Sequence, residues 1–220
     1  MKYKFQLTNF LSAVCVAASF VIPFAVSAAD PTILKMVFVP ASEKGDDSDY
    51  ESLIKIISDR AGIQIQSIKV TDYNAAVEAM RAGRAHIAWY GGKTYVKAAE
   101  IANAEAFAAG VRPGEKDAGY YTYFVVKKDS KLMEFQDVKG KILSLNTIGS
   151  TSGDLIPQVE ISKINLSIKN KDHFSKVFYA GSHDACLLAV LNNQSDVCGM
   201  SSRNFEARLQ DGTFKKEDIR

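Results

Sequence analysis

Three cysteines, three histidines and one tryptophan are all that the 220 residues hold of the side chains most used for metal ligation, thiol chemistry and base stacking. No His/Cys/Asp/Glu grouping has metal-ligand spacing, so a metal centre is not expected, and no motif calls for a cofactor. Charge of one sign is equally scarce. Twenty-seven basic residues face 25 acidic ones, which excludes a nucleic-acid or anionic-membrane partner recruited by net charge. No short-period repeat or low-complexity tract is present, so solenoid and disordered architectures drop out as well.

What is present begins with an export signature. Lys2 and Lys4 give a positive start, an apolar stretch runs from Phe10 to Val26, and Ser27, Ala28 and Ala29 precede Asp30. This order predicts a secretory signal over residues 1–29, cut after Ala28 or Ala29, and places the mature protein in the periplasm. A retained membrane anchor is the competing reading. Pro23, the bare spanning length and the small-residue exit weigh against it. Cys15 follows bulky Val14 rather than a small residue, so it is read as part of the discarded leader and not as a lipid attachment site. Setting aside Lys2 and Lys4 leaves 25 basic against 25 acidic residues. Cys186 and Cys198 then remain in an oxidising compartment that permits a disulfide without requiring one, and a bridge and two buried thiols both fit.

Along the mature chain, TILKMVFV (32–39) reads as a buried first strand stopped by Pro40. A helix follows from about Ser48 to Arg60, a strand over Ile63–Val70, and a helix capped by Thr71 or Asp72 that Gly83 ends. Ala85–Trp89 is a third strand, and Gly91 and Gly92 open a helix to about Asn103. This alternation predicts an α/β fold with a mostly parallel sheet. VRPGEKDA (111–118) breaks the pattern and reads as a connection between lobes. A second α/β unit follows: strands at Tyr120–Val126, Ile142–Leu145, Lys176–Tyr179 and Asp196–Met200, with helices at about Leu155–Lys163 and His183–Leu191. The tail from Phe205 to Arg220 is polar and offers no further strand to either sheet.

The residues best placed for chemistry are Ser150, Thr151, Ser152 and Gly153, between a strand and a helix. Three hydroxyls and free backbone N–H groups at a helix start suit an anion, although ordinary capping produces the same pattern. Pro157, which lacks an N–H, puts the start of the regular helix near Asp154–Ile156 and leaves Ser150–Gly153 as a loop. No Gly-Lys-Ser/Thr follows this loop, so it is not the phosphate loop of a nucleotide hydrolase. Tyr73 stands at a helix start after a strand, and Tyr120 opens the strand after the connection. Both can face a cleft at the strand ends. Trp89 reads as core, Tyr90 as a candidate contact, and Gly91 as a point of close backbone approach. His183 follows Gly181 and Ser182 at another helix start, where a neutral donor is favoured over an imidazolium. Ser150 or Ser152 with His183 and Asp184 could suggest an enzyme acting on a phosphorylated substrate. The strained Gly-x-Ser-x-Gly elbow and an orienting carboxylate are both missing.

Together TDYNAAVEAMRAGRAHIAWYGGKTYVKA, GYYTYFVVKKDS, VKGK, STSGDLIP and AGSHDACLLAVLNNQSDV resemble the phosphate/phosphite/phosphonate-binding proteins of ABC importers, a branch of the type II periplasmic binding proteins. The match spans Thr71–Val197, with Thr32–Gln66 compatible in arrangement. The resemblance implies a two-lobed α/β fold, with lobe 1 over residues 30–118, lobe 2 over 119–202 and the start of a return to lobe 1 over 203–220. It implies closure about a hinge near Ala118–Tyr121 and no catalysis. Tyr73, Tyr120, Ser150, Thr151, Ser152 and His183 would hold a small phosphorus oxyanion. A membrane permease, contacted directly, and a cytoplasmic ATPase would be partners of a monomeric carrier.

The chain departs from this family's pattern at three points. His86 stands where an acidic residue is usual. Arg203 stands where aminoalkyl-phosphonate binders carry a glutamate, which favours phosphate, phosphite or a small uncharged alkylphosphonate. The family's C-terminal segment returns to the first lobe with a further acidic residue, and this chain ends before it. A truncated, non-functional relative is therefore the main alternative expectation.

Overall fold

A computed structural model describes residues 31–42 and 46–220. The expected signal segment, residues 1–29, lies outside them, and none of the helices among the described residues is long and apolar enough to cross a membrane. Residues 32–220 hold two sheets, of three and four strands.

The first sheet has strand β1 (Ile33–Phe38) at its centre, flanked by β2 (Gln64–Ile68) and β3 (Ile87–Trp89), all parallel. Centrality follows from sequence: Met36, Val37 and Phe38 are apolar in succession and buried, as a strand covered on both faces requires. The crossovers are helices α1 (Asp46–Ala61) and α2 (Tyr73–Arg81), and α3 (Gly92–Ala102) follows β3. Asp72 caps α2, its carboxylate accepting the Ala75 N–H at 2.9 Å. Tyr73, Ala76 and Val77 recur at helical spacing and are buried against the sheet.

The second sheet runs β4-β7-β5-β6: Thr122–Val125, Val197–Ser201, Ile142–Leu145 and Lys176–Tyr179. Strand β5 is parallel to both neighbours, whereas β4 is antiparallel to β7, so only the first sheet matches the parallel expectation throughout. Every residue of β7 is buried. Its Gly199 has no room for a side chain, since a Cβ there would lie 2.7 Å from Pro157 Cγ. A π-helical turn (Thr151–Leu155) leads into α4 (Ile156–Lys163), and α5 (His183–Leu191) and α6 (Ser202–Gln210) complete this half. Leu143 and Leu145 of β5 form the core on one sheet face with Ile161 and Val197. Leu187, Val190 and Met200 form the core on the other, and each such fully buried side chain contributes roughly 1.5–3 kcal/mol.

The structure resolves the cysteine alternatives in favour of a bridge. Cys186 on α5 and Cys198 on β7 are disulfide-bonded, with Cα atoms 5.7 Å apart. Closing so short a loop removes on the order of 3 kcal/mol of chain entropy from the unfolded state. The tail adds no strand to either sheet, yet it docks on the second half. Ile219 forms an antiparallel bridge with Lys127, and Val126 and Arg220 exchange both backbone hydrogen bonds at 2.9 Å. Phe214 and Ile219 are buried in the second core, and Phe205 and Leu209 pack against it, so a few apolar residues in a polar segment dock it.

Candidate functional site

In a parallel α/β unit each strand delivers the chain to a helix N-terminus on the same edge of the sheet. Here that rule acts from both halves at once. A cavity of about 330 Å³ is lined by the first residue of α2 (Tyr73), of α3 (Gly92), of the π turn (Thr151) and of α5 (His183), and by Arg203 in the first turn of α6. Helix starts carry unpaired N–H groups and the positive end of the helix dipole, so their convergence favours a negative charge. No Asp or Glu is among the described residues lining the cavity, and Arg203 supplies a cation.

The turn at Ser150 holds the densest set of donors. Ser150 Oγ accepts hydrogen bonds from Gly153 N (3.0 Å) and Asn146 Nδ2 (3.3 Å), while Thr151 Oγ1 accepts from Lys93 N (2.9 Å). Ser152 is buried and makes no side-chain hydrogen bond among the described residues. All three residues line the cavity, and none of their hydroxyls donates its proton to a protein acceptor among the described residues. The first bonds of the π turn run from Leu155 N to Ser150 O and from Ile156 N to Thr151 O. The N–H groups of Thr151 and Ser152 therefore precede the ladder and have no acceptor among the described residues. The expected loop is wound into a turn that Ser150 caps through the Gly153 N–H, while the Thr151 and Ser152 N–H groups stay uncommitted among the described residues, and the regular helix begins at Ile156 as Pro157 dictates. Gly153 itself lies behind the turn, against Asn146 and His183.

His183 is 2% exposed. Its Nδ1 accepts the Ser201 N–H at 3.3 Å, which puts the ring proton on Nε2, and burial pushes its pKa down to about 4 despite the neighbouring Asp184 charge. It is a neutral donor. Tyr73 is buried in the cavity wall, and Tyr120 lines the same cavity beside Gly91. Tyr90 offers the cavity only its ring and backbone, because its hydroxyl donates to the Ala76 carbonyl at 3.0 Å, and burial raises its pKa to about 12. Arg203 reaches the cavity while one guanidinium nitrogen donates to the carbonyls of Gly110, Ala118 and Gly119 at 3.1–3.2 Å. It thereby ties α6 to the irregular connection before β4, and its guanidinium carbon lies 5.4 Å from the Tyr120 ring centre.

Sequence reasoning misses Trp89. Expected in the core, it is 38% exposed and forms cavity wall, its ring lying where a Cβ at Gly110 would meet it at 2.6 Å. The small-residue run Ala108–Gly110 is the available signal. Asp154 is missed as well. It is 1% exposed, and its carboxylate accepts from Lys93 Nζ (2.5 Å), Gly149 N (3.0 Å), Gln158 Nε2 (2.5 Å) and Tyr179 Oη (2.8 Å). Burial opposes its charge, but the Lys93 ammonium and the other donors prevail and hold its pKa below the usual carboxylate range.

Residues 36–220 match the family described as ABC transporter, phosphonate, periplasmic substrate-binding protein. The chain is 29% identical over 167 residues to a phosphonates-binding periplasmic protein of Escherichia coli (strain K12), covering 73% of this chain and 48% of that protein. A probable ABC transporter phosphite binding protein of Prochlorococcus marinus (strain MIT 9301) is 27% identical over 199 residues, 86% of this chain and 65% of its own length. Among solved structures, a binding protein component of an ABC phosphonate transporter from Pseudomonas aeruginosa superposes with a TM-score of 0.77 at 26% identity, covering 87% of this chain and 64% of that one. The chain thus spans between about half and two thirds of the length of these relatives.

Proposed function

Because the chain belongs to the periplasmic substrate-binding proteins of phosphonate-type ABC transporters, we propose that it is a non-catalytic carrier of a small phosphorus oxyanion, phosphonate, phosphite or phosphate. The observation that carries this reading is the donor turn. Ser150, Thr151, Ser152 and His183 line one cavity with no carboxylate among the described residues of its wall, the Thr151 and Ser152 amides have no acceptor among those residues, and His183 keeps its proton on Nε2. Hydrogen bonds to a charged acceptor are about twice as strong as neutral ones, and a tetrahedral oxyanion can use several at once. Arg203 adds positive charge, which favours phosphate, phosphite or a small alkylphosphonate over a ligand bearing an ammonium group.

In this reading residues 1–29 direct export, residues 30–118 and 119–202 act as two lobes, and closure about Ala118–Tyr121 traps the ligand. Tyr121 N donates to Ser202 Oγ (3.0 Å) and Ser202 N to Tyr121 O (2.9 Å), so the two segments leaving the second sheet run side by side where a hinge is needed. A monomer would deliver its ligand to a membrane permease coupled to a cytoplasmic ATPase. The enzyme alternative fares poorly on geometry. His183 Nδ1 faces a backbone N–H rather than a carboxylate, and Asp184 Oδ2 accepts from Ser42 Oγ at 2.6 Å.

Isothermal calorimetry on the folded protein is expected to register binding of phosphite, phosphate or methylphosphonate. Absence of heat with every small oxyanion, from protein whose circular dichroism shows it folded, overturns the proposal.

A further inference from the structure

Lys93 touches the donor turn twice, from the opposite half of the molecule. Its backbone N–H donates to Thr151 Oγ1 at 2.9 Å, and its ammonium reaches Asp154 Oδ2 at 2.5 Å, so one residue straddles Ser152 and Gly153. The next residue adds a third link, buried Thr94 donating its hydroxyl to the Gly149 carbonyl at 2.9 Å. Close approach at this point is built into the chain, because a Cβ at Gly91 would lie 2.9 Å from Thr151 Oγ1. Asp154 is held from its own half by the Gly149 N–H, Gln158 and Tyr179, so the ammonium meets a carboxylate already fixed in place.

These contacts have a chemical consequence at the site. A hydroxyl has one proton, and Thr151 Oγ1, by accepting from Lys93 N, has that proton left to donate into the cavity. When the halves part, the acceptor bond and the ion pair are both lost. The hydroxyl is then free to turn, and the Asp154 carboxylate is left beside the donor turn without its cation.

We propose that Lys93 is a positioning residue that works as a clasp: it locks the two halves together across the donor turn and orients Thr151 toward the anion, so that it governs how long a ligand stays. This inference rests on the oxyanion-carrier reading. Its function is expressed in dissociation, because the contacts already join the halves in this structure and have to break before a trapped ligand leaves.

Trp89, the sole tryptophan of the sequence, lines the cavity and gives the readout. Stopped-flow Trp89 fluorescence with methylphosphonate and with phosphite would yield association and dissociation rates for the wild type, Lys93→Met and Lys93→Arg. Lys93→Met leaves the buried Asp154 carboxylate without its cation, so its urea midpoint is expected to fall, and the rates are compared under conditions where circular dichroism shows every variant folded. Lys93→Met should raise the dissociation rate about 10-fold or more and change the association rate less than about 2-fold, the size expected for one lost charge-assisted hydrogen bond. Lys93→Arg should recover most of the loss, since a guanidinium can also reach Asp154. An unchanged dissociation rate in the Met variant, a loss confined to association, or an Arg variant as impaired as Met would each overturn the clasp. A wild type that binds neither ligand, by fluorescence or calorimetry, refutes the carrier reading instead. Should Lys93→Met fail to fold, Thr94→Ser against Thr94→Val tests the neighbouring link: faster dissociation in Val alone supports the clasp, and equal rates in the two overturn it.

Discussion

Gly153→Ala is expected to abolish oxyanion binding and to cost the folded protein about 3 kcal/mol, the upper end of what overpacking one methyl into a tight interior costs. The added Cβ would lie 2.3 Å from Asn146 Cβ and 3.0 Å from His183 Cε1. Neither neighbour can give way cheaply: Asn146 is fully buried and donates to Ser150 Oγ, and His183 is fixed by the Ser201 N–H. Relief requires the turn itself to move. That displaces the Gly153 N–H from Ser150 Oγ and the Thr151 and Ser152 amides from the cavity, so stability and binding fall together. Urea denaturation and calorimetry with phosphite check the two effects. A variant that binds within about 3-fold of wild type would show that the turn tolerates the shift.

The second large effect concerns pH. His183 has a free-imidazole pKa of 6.5 and a folded value of about 4. A depressed folded value means that the unfolded chain takes up a proton first as pH falls. The stability contributed by neutral His183 is therefore complete above pH 6.5 and is lost as pH falls from there toward 4. At 1.36 kcal/mol for each unit of separation the full loss is on the order of 3 kcal/mol. Urea melts at about pH 7 and about pH 4.5 should show a fall in stability of roughly 2 to 3 kcal/mol that the non-titrating His183→Gln variant lacks, other groups cancelling in the comparison. Equal pH slopes for the two proteins would contradict a buried neutral imidazole. Above pH 6.5 the ring stays neutral in both states, so its Nε2–H remains a constant donor to the cavity.

How much of this is legible in sequence depends on how local each signal is. The strands at Ile142–Leu145 and Lys176–Tyr179 and the helix at His183–Leu191 agree with the structure to the residue, because apolar runs bounded by turn residues define them without help from distant parts. The placement of Tyr73, Ser150–Ser152 and His183 at helix starts is likewise readable, since capping residues after a strand mark such starts. Pairings across the chain are not. Trp89 reads as core from its neighbours Ile87 and Ala88, and only the arrival of Gly110 makes it cavity wall. Lys93 looks like a surface charge, and Asp154 like a first-turn acid. That they meet is a property of how the two halves approach, 61 residues apart in the chain. The burial of Phe214 and Ile219 escapes for a similar reason, as a few apolar residues in a polar tail show no period.

Everything functional depends on backbone and hydroxyl donors at the start of the π turn being available to an anion. Amide NMR reads this directly. Titrating the ¹⁵N-labelled protein with methylphosphonate or phosphite should move the Thr151 and Ser152 amide protons downfield by more than any amide outside the cavity, as new bonds to a charged acceptor require. Saturable binding that leaves those two resonances unmoved would contradict the proposed site, since the ligand would then lie somewhere else.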